Sequence, residues 1–448
     1  MKKRVVSLLL ALTLCVLPAL ADKGQKTEIL TYQDIQVVVN GESIPAQDLE
    51  PFILNGRVYI PVEIDPNTAW DERANTVFIQ GPTKVAAPEE DVFALMGKKL
   101  SGYYKRFALI KDDGSLWTWG EKYLGNGQSS GGNAPVHVMD GVSAVWMGDV
   151  SSLALKEDGS LWAWGSNYGY TLGNGQKGGE ALAPVHILDH VATSSVGYYT
   201  AAAVTEDGGL YIWGWNADGN LGENIPAFKG PGEFLSPVHV MEDVADVSCN
   251  NGNYGAYTMV LKQDGSLWTF GNDQFGQLGD GRTDLGQQYW KLEDGGTLGR
   301  YPYEFAPQKI LDNVVSIYAG DRLGAAIQSD GSLYTWGCNL DGRLGNGGAY
   351  NATSADGAPC QTVPLKIADN VAAVREGYAT HLVFLKKDGT VWECGANYGD
   401  IPVQIDLRDA VAIAAGQGET YALKADGTLW SWNVWIESEP APVPDIAR

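Results

Sequence analysis

The 448-residue chain is short of cysteine (five), histidine (five), methionine (six) and positive charge, with 31 Lys and Arg against 54 Asp and Glu. Five cysteines are too few to build a disulfide scaffold of this size. None has CxxC spacing, which removes the usual zinc-ribbon and thioredoxin-type patterns. A formal charge of −23 works against a nucleic-acid partner, because binding a polyanion needs Lys and Arg at the phosphates. It works equally against an anionic membrane surface. Long apolar runs are missing after the N-terminus, so no membrane span is expected. With 44% hydrophobic and 19% charged residues, the chain still has material for a sizeable core. What it has in quantity is glycine (56) and tryptophan (15).

Residues 1–21 read as an export signal. Lys2, Lys3 and Arg4 form a positive head, residues 5–17 an apolar run too short to span a bilayer, and Ala19-Leu20-Ala21 a small-x-small cleavage pattern. Removing them leaves 28 basic groups against 54 acidic ones, a charge of −26. The expectation is a secreted bacterial protein, extracellular or associated with the cell envelope. Of the remaining cysteines, Cys338 and Cys360 flank one loop region and are the candidate disulfide pair, with Cys249 and Cys394 left over. Four buried thiols are the alternative. His137, His186 and His239 hold the same place in a repeat, which points to structure and not to a metal site. No metal and no cofactor are expected.

The repeat dominates the rest of the chain. Asp-Gly, a small residue, an aliphatic one, an aromatic one, any residue, an aromatic one and Gly recur seven times, starting at Asp113, Asp158, Asp207, Asp264, Asp330, Asp388 and Asp426. The sixth copy has Cys394 at the second aromatic position and the seventh ends in Asn433 instead of Gly. Asp-Gly between apolar runs is a hairpin signal, since glycine accepts the positive φ of a tight turn. An alternating strand precedes it and another follows. A looser loop then ends in Leu-Gly, as in Gln274-Phe-Gly-Gln-Leu-Gly279, before a proline-led strand such as Pro184-Val-His-Ile187. Four short strands per unit, repeated about every 50 residues, predict an all-β, seven-bladed β-propeller. Aromatic pairs, complete in six of the seven copies, are expected to pack between blades.

This repeat resembles the RCC1 (regulator of chromosome condensation) repeat over residues 92–448. The resemblance implies a seven-bladed propeller. It carries over no catalytic residue, and the family's nuclear role in nucleotide exchange fits poorly with an exported, acidic chain. Secreted bacterial propellers of this type act by binding other proteins across a propeller face. Residues 29–82 have another texture: Asn40-Gly41, Asn55-Gly-Arg-Val-Tyr-Ile-Pro61, and Trp70-Asp71 before Asn75-Thr-Val-Phe-Ile79. They resemble the copper amine oxidase N-terminal-like (stalk) domain, a non-catalytic appendage, here without most of its usual helix. A small N-terminal β-rich domain is therefore expected, joined by a linker at 83–91.

Loop length suggests where a ligand binds. From the motif's last residue to the next strand's proline the spacing is 15, 19, 23, 36, 27, 7 and 9 residues in the seven copies. The long connections belong to blades 3–5 and carry Phe228, Phe234, Tyr289, Trp290, Tyr301, Tyr303, Phe305 and Tyr350. Long loops in a compact domain are commonly functional, and aromatics concentrate at binding hot spots. Folding back to cap the blades is the competing role for these rings. No nucleophile with a nearby histidine, phosphate loop or defined carboxylate pair appears, so an enzyme is not expected. The sequence-level reading is a non-catalytic propeller that binds an extracellular or envelope protein. A polysaccharide held by the same aromatics is the alternative.

Overall fold

The computed structural model of the protein describes residues 97–216, 218–222, 232–250, 252, 255–282, 303–378, 381–436 and 438–443, with short stretches of strand backbone elsewhere. It divides into two compact units, one built on Met1–Asp91 and one on Val92–Lys424 and Thr428–Arg448. In the first, Gln36–Val39, Glu42–Ile44, Ala69–Asp71 and Thr76–Ile79 form one sheet, with Gln36–Val39 parallel to Thr76–Ile79. Val39 pairs with Glu42, the register a two-residue hairpin loop gives. Phe52–Leu54 pairs with Arg57–Pro61, and Leu9–Leu12 with the latter's other edge. The rest of the expected export signal, the linker at 83–91 and all side chains of this unit lie outside the described residues.

The second unit is a seven-bladed propeller with almost no helix. The blades span residues 100–139, 142–188, 191–241, 244–311, 314–368, 371–404 and 410–442, each a four-stranded antiparallel sheet, with Ala352–Thr353 added to the fifth. Blade 2 shows the plan. Val142–Met147 is innermost, followed outward by Ser151–Lys156, Leu161–Ser166 and Glu180–Leu188. The second strand is buried along its length because neighbouring blades cover both faces, so it loses the polar alternation of a half-exposed strand. Every blade is drawn from contiguous chain. The ring therefore closes without strand exchange, by packing Ala410–Ala415 of blade 7 against Leu100–Tyr103 of blade 1.

Local chemistry explains the repeated phrase. In blade 2, Asp158 Oδ1 accepts hydrogen bonds from the Ser160 N–H (3.0 Å) and hydroxyl (2.5 Å), and Ser160 Oγ accepts from the Trp162 indole N–H (2.9 Å). The same relay recurs from Asp113, Asp264 and Asp388. The hydroxyl bond holds Asp113, Asp158 and Asp264 below the usual carboxylate range. The two motif aromatics divide their work. The first is half-buried and, in blades 1–3, meets the edge of His137, His186 or His239, each of which pairs with an acid three residues on. The second is wedged deepest between blades, with Trp164, Trp213 and Trp336 fully buried, while first-position rings such as Tyr334, Trp392 and Trp430 pack partly buried against the inter-blade cores.

The prolines do not open the outer strands as expected. Pro135, Pro184 and Pro237 sit inside Gly132–Met139, Glu180–Leu188 and Gly232–Met241. An outermost strand tolerates proline because its outward N–H has no ladder partner, and the ladder shifts register at this point. The connections are correspondingly shorter than proline spacing suggests.

Candidate functional site

In a four-stranded antiparallel blade, the connections between strands 1 and 2 and between strands 3 and 4 emerge at the same end. All the long insertions join strands 3 and 4, so they share one face of the ring. Among the described residues, five of the eight exposed large apolar side chains stand in these connections: Tyr168, Tyr350, Ile401, Trp435 and Ile436. The opposite face, made of Asp-Gly turns, has none of them.

An aromatic cluster stands on this face at blades 2 and 3. Exposed Tyr168 meets Tyr198 edge-on at 6.0 Å, Tyr198 meets Tyr199 at 4.5 Å, and Tyr199 meets Trp215 at 5.1 Å. Burial pushes the Tyr199 phenol up to about 12. Beside it, the Tyr170 hydroxyl donates to Glu233 (2.9 Å), which also pairs with Lys177 (2.6 Å). None of these rings was singled out by loop length. Tyr198 and Tyr199 lie in a short turn between strands 1 and 2, and only the blade topology brings that turn beside the Tyr168 loop.

Of the sequence-predicted residues, Tyr350 is 61% exposed on this face. Phe234 is half-buried against the core between blades 3 and 4, capping it. Trp290 stands in a two-residue strand paired with Thr297–Leu298, and Tyr303 and Phe305 in the outer strand Tyr303–Leu311. Only backbone is described for those three. Phe228, Tyr289 and Tyr301 lie outside the described residues. The root of the blade-4 insertion is tied down by Arg282, which donates to Asp280 and Glu304, both at 2.6 Å.

Beneath the face lies a set of buried charges linking blades 4 to 6. Glu376 accepts from the Asp321 N–H (2.6 Å) and faces Arg343 at 3.6 Å, and the Arg322 guanidinium lies 4.7 Å from the Phe275 ring. Burial raises Glu376 to about 7, against the opposing pull of Arg343. Asp273 is raised to about 8 by burial and by Asp280. These groups are closed off from solvent and fix the loops in place. Cys338 and Cys360 are direct register partners across antiparallel strands and are buried free thiols, and the Cys360 thiol donates to the Ala358 carbonyl at 3.3 Å.

Models of the regulator of chromosome condensation (RCC1) repeat match residues 264–327, 330–374 and 193–220. The chain thus carries RCC1 repeats, folded as a seven-bladed β-propeller. Human E3 ubiquitin-protein ligase HERC2 is 28% identical over 202 residues, which is 44% of this chain and 4% of that protein. The Regulator of chromosome condensation of Xenopus laevis is 26% identical over 196 residues, 40% of this chain and 41% of that one. The chain therefore spans well under half the length of these relatives. Among solved structures, Prp20p from Saccharomyces cerevisiae, described with its binding properties to Gsp1p and histones, is similar with a TM-score of 0.56 at 20% identity. That likeness covers 71% of this chain and 80% of Prp20p, and it is one of fold.

Proposed function

We propose that this propeller is a non-catalytic binding protein, acting outside the cytoplasm, that captures a protein partner on its insertion-bearing face. One observation carries the reading: the exposed tyrosine, tryptophan and isoleucine side chains gather on that face and not on the Asp-Gly turn face. Isolated exposed apolar residues are ordinary, but rings concentrated on one surface and rigidly backed are the composition of an interaction hot spot. The buried charges under blades 4–6 support it by holding the loops in one arrangement before binding, which lowers the ordering cost. Propellers of this fold bind proteins, as Prp20p does. The export-signal pattern of residues 1–21 supports a compartment outside the cytoplasm.

The test is a capture experiment on the surface of the producing cells, comparing the wild-type chain with Tyr168→Asp/Tyr350→Asp and with a deletion of residues 283–305. A partner enriched by the wild type and lost from the first variant, with circular dichroism unchanged, supports the face. A partner retained by both variants overturns it. Fractionation checks the compartment: a chain found only in the cytoplasm, with residues 1–21 uncleaved, removes the exported reading.

A further inference from the structure

The seven blade boundaries are not closed in the same way. In blades 1–5 a Leu-Gly pair at the end of the loop after strand 3 lies over the second motif residue of the next blade. A Cβ added at Gly125, Gly173 or Gly279 would come within 2.9, 2.6 or 2.7 Å of the indole nitrogen of Trp164, Trp213 or Trp336. Backbone carbonyls of two of these loops accept the buried indole N–H groups, Thr171 from Trp213 and Gln277 from Trp336, both at 2.9 Å. Blade 7 has no Leu-Gly pair. Its third strand ends at Asn433, and Trp119 of blade 1, 3% exposed, is buried without a Leu-Gly cap. An open cleft of about 1000 Å³ stands there instead.

The cleft has a flat wall and a polar rim. Trp119, Phe107 and Tyr421 form its aromatic floor, with ring centroids 4.4 to 5.9 Å apart. Trp435 rises at one side, 47% exposed. One face of its indole lies on Gly418, where an added Cβ would meet the ring at 2.7 Å. Its backbone is pinned at both ends: the N–H donates to Asn433 Oδ1 (3.0 Å), and the carbonyl accepts from Asn397 Nδ2 (2.8 Å). This is a rigid platform with its second face presented to solvent. Around the opening stand Glu121, Glu419, Lys105, Lys122, Gln417 and Asn133. Two acids face two lysines, and Lys105 already pairs with Glu121 at 3.0 Å.

We infer that this seam cleft is a saccharide-binding site, in which a neutral pyranose stacks on Trp435 and hydrogen-bonds to the Glu419 and Gln417 side of the rim. The charge balance inside the cleft selects neither an anion nor a cation, although the whole chain carries −23. Mixed donors and acceptors beside a fixed aromatic plane suit a ligand with apolar C–H faces and hydroxyl edges. The volume, at the upper end of the range for ligand pockets, and the open mouth admit more than one ring of a glycan chain. Trp435 also belongs to the exposed set on the insertion-bearing face, but neither Tyr168 nor Tyr350 lines the cleft, so the two tests are read out separately.

The experiment is isothermal titration of the full chain with cellohexaose, chitohexaose and maltohexaose, repeated for Trp435→Ala and Glu419→Gln. Binding of at least one oligosaccharide is expected, weakened about tenfold or more by Trp435→Ala, the scale of a lost ring-stacking contact. Glu419→Gln, whose side chain is exposed, preserves the fold and should weaken binding by a smaller factor. Absence of heat with all three sugars overturns the inference, as does binding that survives Trp435→Ala unchanged. Protein capture should be unaffected by Glu419→Gln, which keeps this result separable from the face described above.

Discussion

The boundary between blades 4 and 5 and the seam between blades 7 and 1 are built from the same kind of buried second motif ring, Trp336 and Trp119, yet only the first is capped by a Leu-Gly loop and only the second borders a cleft. At the regular boundary, Leu278 and Gly279 cover the ring, and the Thr269 hydroxyl of the same blade donates to the Leu278 carbonyl (2.8 Å) to hold the loop in place. Thr118 and Thr335 do the same for Leu124 and Leu344. Blade 6 also lacks the Leu-Gly loop, but at the threonine position it carries Glu393, whose buried carboxyl faces Thr420, Trp432 and Tyr398 and fills the gap with polar contacts. Blade 7 carries only Ser431 there. Loop, buried carboxylate and open cleft are three outcomes at one structural position. The cleft stands where the packing rule of the repeat lapses without a substitute.

The largest expected effect separates the capped from the uncapped boundary. Trp336→Ala empties a fully buried space and strands the Gln277 carbonyl, costing about 3–5 kcal/mol. Trp119→Ala opens the same volume onto an existing cleft that water can enter, and should cost roughly half as much. Urea unfolding midpoints of the two variants compare them directly. Equal losses would mean that the seam is as tightly packed as the other boundaries.

The second effect concerns the polar substitute in blade 6. Burial raises Glu393 to about 7, and Thr420 Oγ1 donates to it at 2.7 Å. A carboxyl whose pKa is higher in the fold than in the unfolded chain contributes stability that is complete below the unfolded value, near 4.5, and lost as pH rises through about 7. The shift amounts to roughly 3 kcal/mol at most for this one group. Glu376 and Asp273 act in the same direction. His381, 3.1 Å from Thr420, is lowered to about 3 by burial and opposes them: it weakens the fold as pH falls below 6.5. Unfolding free energy measured from pH 5 to 8 should therefore decline toward pH 8, and Glu393→Gln should flatten that slope. An unchanged slope would place the substitute elsewhere.

The order, phase and strand content of the blades were legible in the sequence because each is locally encoded. Asp-Gly marks the turn between strands 2 and 3, a two-residue alternation marks strand 3, and the serine after Asp-Gly serves both the aspartate and the tryptophan. The proline-led fourth strand was legible as a strand but not in extent, since an edge strand hides its own start. The candidate site was read only in part. Loop length pointed to the face that carries the exposed apolar side chains, Tyr350 among them, but it could not show that Phe234 turns inward, or that Tyr198 and Tyr199 join Tyr168 across separate connections. For the seam, the signals are Asn433 in place of glycine and the missing Leu-Gly pair. Their meaning depends on which blade's loop covers which blade's ring, and that is a property of the ring closure and not of any one repeat.

The smallest effect tests whether the glycine contact itself, or only the left-handed turn, makes a sealed boundary. Gly279 and Gly345 have similar φ values of +75° and +66°, so an alanine at either bears the same left-handed strain of about 1–2 kcal/mol. Their neighbours differ. An added Cβ at Gly279 would press on the wide, fully buried indole of Trp336, whereas at Gly345 it would meet the Cys394 sulfur at 2.8 Å. A thiol can rotate or shift within its pocket, and an indole clamped through its N–H to Gln277 cannot. Gly279→Ala should thus be the more destabilising by about 1 kcal/mol, the usual scale of overpacking. If the two variants lose the same stability, turn geometry alone carries the boundary, and the absence of Leu-Gly at the seam would matter for its backbone and not for the packing of Trp119.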